Sequence, residues 1–210
     1  MKAERSRVFA ETYQGYLAEI RKIDFLSRAA LLGVAVEDEA LIIPLYDTVY
    51  SFNRDGVRET KGEQLTPAVQ VMICKYILSC PAELPTEKAD LVADLVTYRE
   101  FKDSGPLTSY FTTNTNKTLE STFAGNVAGL RQRASALGGT IVSSEIYDLS
   151  LVFHAFPRIP VYLNFNDRDD IFPATCSVLY RSSAARFLDM ECLAMTGTLL
   201  TGKLIGRKSM

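Results

Sequence analysis

The chain has no tryptophan, one histidine and four cysteines in 210 residues. A single histidine leaves little from which to build a Ser–His–Asp or Cys–His system, and there is no GxSxG elbow to receive one. That histidine, His154, stands in an expected strand between Phe153 and Ala155, where a structural or exposed role is the simpler reading. Cys74, Cys80, Cys176 and Cys192 form no CxxC pair, so the spacing of a structural zinc site or a ferredoxin-type cluster is missing. Four scattered thiols in a chain of this length also do not read as a secreted disulfide framework. They are expected to be reduced, mostly buried and free of metal, and no cofactor is predicted.

An excess of either charge is lacking as well. The 23 Lys+Arg and 25 Asp+Glu leave a formal net charge of -2, with an isoelectric point near 5.6. That argues against nucleic acid as a partner, which requires a basic footprint. No stretch approaches the ~20 apolar residues of a membrane span. The opening MKAERSRVFAETYQGYLAEI scatters its charges and carries no signal-type apolar run. These features predict a soluble, cytoplasmic protein without a membrane partner. There is no repeat, low-complexity tract or Pro/Gly/Ser linker, so one domain over 1–210 is expected.

What is present is ordinary globular material, 47% hydrophobic and 23% charged. Phe9, Tyr13, Tyr16, Leu17 and Ile20 recur at three- and four-residue steps and predict a helix from about Glu4 to Ile20. Asp24 caps a second, FLSRAALL, and Gly33 stops it, closing a helical block over 4–32. Short antiparallel strands follow over 34–60, with turns at EDE and NRDG. Thr66-Pro67 starts a helix over 67–79 that is apolar on every side and therefore central. TEKADLVA reads as a short helix capped by Thr86, and LVTY as a strand. Leu119, Phe123, Val127, Leu130, Ala134 and Leu137 form one stripe, predicting a long amphipathic helix over 116–137 that ends at Gly138-Gly139. DLSLVFHAF, VYLNF and TCSVLY are strands, followed by helices capped by Ser182 or Ser183 and by Asp189, over 148–205. Helices and hairpins come in blocks rather than in alternation, which is α+β with antiparallel sheet.

Few residues invite chemistry. Asp167, Asp169 and Asp170 form the densest carboxylate group, but no calcium-loop glycine or closing glutamate follows, and Arg168 opposes a cation. A solvated hairpin turn is the plainer reading, and no metal is predicted. LTGKLIG lacks the first glycine of a phosphate loop, and GNVAG is no dinucleotide fingerprint. Arg99, Glu100 and Arg158 sit at predicted junctions, where an arginine either fixes carbonyls at a corner or binds an anionic ligand.

VTYREF, the stretch FPRIPVYLNFNDRDDIFPATCSVLYRSSAARFLDMECLAMTG and the helix ending at Gly138-Gly139 together resemble domain-of-unknown-function family 3786. This is an uncharacterised bacterial and archaeal family, found mostly in anaerobes. The resemblance is most specific at Pro157–Pro160, Asp167–Asp170, Phe172-Pro173 and Ser183–Leu188. Some members look like fusions to a cysteine-rich iron–sulfur module, but residues 1–73 here contain no cysteine, so that cluster is not carried over. The family brings no established catalytic residue.

Two functions are expected from this. The first is an accessory or interaction protein supporting redox or one-carbon metabolism in an anaerobe, with an exposed apolar patch on the first helix. The alternative is a small-molecule-binding protein or enzyme with a pocket near Arg158, Asp167–Asp170 and the Arg99-Glu100 corner. A metal-dependent hydrolase using the aspartates ranks last. Whether it is an enzyme, its protein or small-molecule partner and its oligomeric state are left open by the residues.

Overall fold

The computed structural model describes residues 2–60, 65–86 and 94–206, with side chains from Arg7 onward. The helix expected at TEKADLVA falls on 86–93 and so lies almost wholly outside the described residues. The first helix, α1 (Lys2–Ile20), buries Tyr13, Leu17 and Ile20, the stripe its spacing predicts. A 3-10 turn (Leu26–Arg28) and α2 (Ala29–Leu32) follow; Asp24 Oδ1 accepts from Ser27 N–H, and Gly33 ends α2 at φ +72°. Four strands then form an antiparallel meander, β1 (Ala35–Glu37), β2 (Ala40–Leu45), β3 (Thr48–Asn53) and β4 (Gly56–Glu59). Leu41 faces Phe52 and Ile43 faces Tyr50 across β2 and β3, so the period-two pattern buries one side of this sheet. Asp38 and Glu39 both take positive φ, as a two-residue hairpin turn requires.

Helix α3 (Pro67–Leu78) begins as the sequence predicts: Thr66 Oγ1 accepts from Val69 N–H at 3.3 Å, and Pro67 occupies the first turn. It lies at the centre, with Val71, Met72, Ile73, Cys74, Tyr76 and Ile77 all buried. A second antiparallel sheet runs in the order β5 (Leu95–Thr97), β9 (Thr175–Arg181), β8 (Ile159–Asn166), β7 (Leu149–Phe156), β6 (Thr140–Val142). Its register shifts between His154 and Phe156, and at that irregularity the carbonyl of Ala155 accepts from Tyr46 N–H, at the β2–β3 turn, at 3.1 Å. The two sheets are thereby joined through backbone, and buried side chains from both belong to one apolar cluster.

The α+β class with antiparallel hairpins is what the structure has, but the single long helix over 116–137 is not. The rod begins earlier, at α4 (Gly105–Thr112), and passes through a π-helical segment (Thr113–Lys117) into α5 (Thr118–Phe123). It then breaks, and α6 (Val127–Ala136) starts anew. Gly125 turns the chain at φ +79°, and Asn126 caps α6 by accepting from Gly129 N–H at 3.0 Å. Leu119, Phe123, Leu130 and Ala134 are all buried, so the stripe survives the break that it conceals. A 3-10 segment (Ser182–Arg186) and α7 (Met190–Leu204) follow β9.

Candidate functional site

Helix α7 is apolar on two sides. Asp189 caps it by accepting from Cys192 N–H at 2.9 Å, and Cys192, Leu193, Gly197, Leu200 and Leu204 enter the core. Gly197 lets Phe111 lie against the helix: a Cβ there would sit 2.5 Å from the Phe111 ring and 2.9 Å from Tyr180 Oη. The other side carries Glu191, Met195, Thr198, Leu199, Gly202 and Ile205, and forms the floor of a cavity of about 470 Å3. At ~1.5 Å per residue this floor is roughly 21 Å long. One wall comes from Ala68, Val69 and Met72 of α3 with Phe9 of α1, the other from Leu107 and Tyr110 of α4 with Asn114 of the π segment.

Most polar groups of this groove are occupied within their own helices. Thr198 Oγ1 donates to Ala194 O at 2.7 Å, Thr201 Oγ1 to Gly197 O at 3.0 Å, and Asn114 Nδ2 to Tyr110 O at 2.8 Å. Three are not: the Tyr110 hydroxyl, Asn114 Oδ1 and the Glu191 carboxylate have no hydrogen bond or ion pair among the described residues. An apolar trough with a few free polar groups is the usual composition of a ligand site. The π segment beside it is a geometry that recurs at functional sites. Within it the buried Thr115 hydroxyl and Asn116 Oδ1 have no hydrogen-bond partner among the described residues. On its other side a second cavity of about 550 Å3 touches Pro173 and Ala174. The carboxylate there, Glu120, is already engaged by Lys117 Nζ at 2.7 Å and by Cys176 N–H at 3.1 Å.

None of the site candidates Arg99, Glu100, Arg158, Asp167, Asp169 and Asp170, nor His154, lines either cavity. Arg158, in the β7–β8 turn, donates from Nε to Leu31 O at 3.1 Å and from Nη2 to Ala30 O at 3.0 Å, at the end of α2. Arg99 is exposed, and Glu100 closes a local turn: its Oε2 accepts from Thr97 N–H at 2.7 Å and Thr97 Oγ1 at 2.6 Å. Those hydrogen bonds hold its carboxyl below the ordinary value. Asp167 Oδ1 accepts from Gly125 N–H at 2.5 Å and Arg168 N–H at 2.8 Å. Asp169 Oδ1 accepts from Ile171 and Phe172 N–H, which lowers its pKa, while Asp170 is exposed. The three aspartates thus share a loop without converging on a cation, and His154 is exposed on β7.

All four thiols are free, and burial pushes each above its ordinary value, Cys74 to about 12. A thiol held protonated is a poor nucleophile and a poor ligand. No cluster of three His, Cys, Asp or Glu side chains suited to a metal occurs among the described residues. No helix among them is long and apolar enough to cross a membrane.

Sequence reading missed the groove because Leu193, Leu199 and Leu200 fall on different sides of α7, and a helix apolar all round reads simply as core. Its signal was there: MECLAMTGTLLTGKL has more apolar surface than one buried stripe uses.

The fold is that of an α+β protein in which two antiparallel sheets carry a helix-walled groove. Residues 24–203 match the family described as Domain of unknown function (DUF3786), and the chain belongs to that family. No curated protein and no solved structure matches it.

Proposed function

We propose that this protein binds a small elongated molecule in the groove along α7, and that it acts as a binding or accessory protein rather than as a catalyst. The observation that carries this reading is the apolar trough of about 470 Å3 lined by Glu191, Tyr110 and Asn114, whose carboxylate, hydroxyl and Oδ1 have no partner among the described residues. That volume falls within the usual range for small-molecule sites. Met72 and Met195 are unbranched and polarizable, so the walls can adapt to an irregular apolar body. Glu191 favours a ligand whose polar end is cationic or donates hydrogen bonds. Against catalysis stand the protonated thiols and the position of His154, which lines neither cavity. The narrower setting, redox or one-carbon metabolism in an anaerobe, draws its support from the family resemblance alone.

Gly202 supplies the test. It lies on the groove floor, and a Cβ built there meets nothing within 4 Å. Gly202→Phe therefore fills the trough without a backbone clash. The neutral dye Nile red should bind the native protein and lose at least about tenfold in affinity to Gly202→Phe, with the melting temperature maintained. Equal binding to both proteins, or none to either, overturns the reading.

A further inference from the structure

The most exposed large apolar side chains among the described residues are Ile171 (79% exposed), Ile146 (78%) and Phe172 (66%). They are not on the first helix. Ile146 lies between β6 and β7, and Ile171 and Phe172 lie between β8 and β9, so all three emerge at one end of the five-stranded sheet. The two loops are bonded together: Asp167 N–H donates to Asp148 Oδ2 at 2.8 Å, and Asp148 N–H to Asn166 Oδ1 at 3.1 Å. The edge strand β6 adjoins them with Ile141 and Val142, both exposed.

This apolar tip is held rather than loose. Asp169 Oδ1 accepts from Ile171 N–H at 2.7 Å and Phe172 N–H at 2.6 Å, while Asp169 N–H donates to Phe172 O at 3.0 Å. Asp167 anchors the loop to Gly125 at the α5–α6 break. A preorganised apolar projection loses little entropy on docking. The charged side chains of these two loops are acidic on balance: Glu145, Asp148, Asp167, Asp169 and Asp170 with Arg168.

We propose that this end of the sheet docks another protein, whose complementary surface is an apolar pocket rimmed by lysine or arginine. Charge selects that occupant. An anionic bilayer carries the same sign as the tip and repels it. A second copy meeting through the same surface would bring five carboxylates against five. A basic rim instead gains from them while its pocket takes Ile171 and Phe172. The surface is separate from the α7 groove, so the two proposals stand or fall independently.

The full chain carrying photoreactive p-benzoylphenylalanine at position 172 tests this in the cells that encode it. Irradiation should give one protein adduct. The adduct partner, purified, should bind the native chain with an affinity that falls at high salt. Phe172→Ala or Ile146→Ser should weaken it about tenfold, and Asp170→Lys with Glu145→Lys several-fold, whereas Val8→Ser on α1 should not. The substituted positions are all exposed, so folding is maintained. The proposal is overturned by no adduct, by an adduct with lipid or with a second copy of the chain, or by a partner whose affinity ignores salt and charge reversal.

Discussion

Tyr76 and Arg158 meet over the C-terminus of α2 and together occupy three consecutive backbone carbonyls. The Tyr76 hydroxyl donates to Leu32 O at 2.7 Å and accepts from Arg158 N–H at 3.3 Å, while the Arg158 guanidinium takes Leu31 O and Ala30 O. The last turn of a helix leaves such acceptors short of intrahelical partners, and a cation there also complements the partial negative charge of that end. Arg28 does the same for α3, donating to Ile77 O at 2.8 Å and Leu78 O at 3.1 Å.

Arg158→Ala should therefore lower stability by about 1–3 kcal/mol, chiefly by leaving the part-buried Leu31 O unmet while Ala30 O keeps Gly33 N–H, and Tyr76→Phe by a similar amount. Urea unfolding measures both. Nile red affinity for the groove should be unchanged in Arg158→Ala. A variant of full stability with altered ligand binding would make Arg158 a ligand residue instead of a clamp.

The two α7 glycines should respond in opposite directions to the same change. Gly197→Ala places a methyl against Phe111 and Tyr180 and should cost about 1–3 kcal/mol by overpacking. Gly202→Ala meets open space and should gain up to about 1 kcal/mol from helix propensity. Thermal or urea unfolding of the pair settles it; equal effects would place both residues in the same environment.

Head-group preference in the groove rests on Glu191. Displacement of Nile red by decylamine should exceed displacement by decanoate. Glu191→Gln should shrink the amine's advantage by roughly two- to fivefold, the worth of a partly exposed ion pair. An advantage that survives intact in Glu191→Gln would move the polar end of the ligand elsewhere in the trough.

Alkaline pH should destabilise the fold through its buried thiols. Burial raises Cys74 from 9.0 to about 12, so between those values the folded thiol keeps a proton that the unfolded one has released. Stability contributed by this group is complete below pH 9 and is lost as pH rises above it. The loss is about 1.4 kcal/mol per pH unit for each such group. Unfolding free energies at pH 8, 9 and 10 should fall with that sign. Cys74→Val should reduce the slope, and an unchanged slope would reassign it to other groups, the buried tyrosines among them.

Sequence reading reached far where one segment decides its own structure. Thr66-Pro67, Gly33 and the NRDG turn act within a few residues, and alternation along 149–153 or steps of three and four along α1 report a single buried face. It failed where two segments must meet. The stripe from Leu119 to Leu137 keeps its phase through Gly125 and Asn126, so periodicity alone cannot reveal the break.

By itself the sequence determined the α+β class, most element positions, the mostly buried setting of the thiols and the lack of a nucleophile–base motif, because each follows from local backbone preference or from side-chain composition. Only the tertiary structure decided that Arg158 clamps a helix end and that the Asp167–Asp170 loop fastens to Gly125. It alone revealed that the second face of α7 lines a groove, and that Ile146, Ile171 and Phe172 share one end of a sheet. These depend on which carbonyl or side chain lies within a few ångströms across the chain, and partners such as Arg158 and Ala30 are brought together by packing of the whole core.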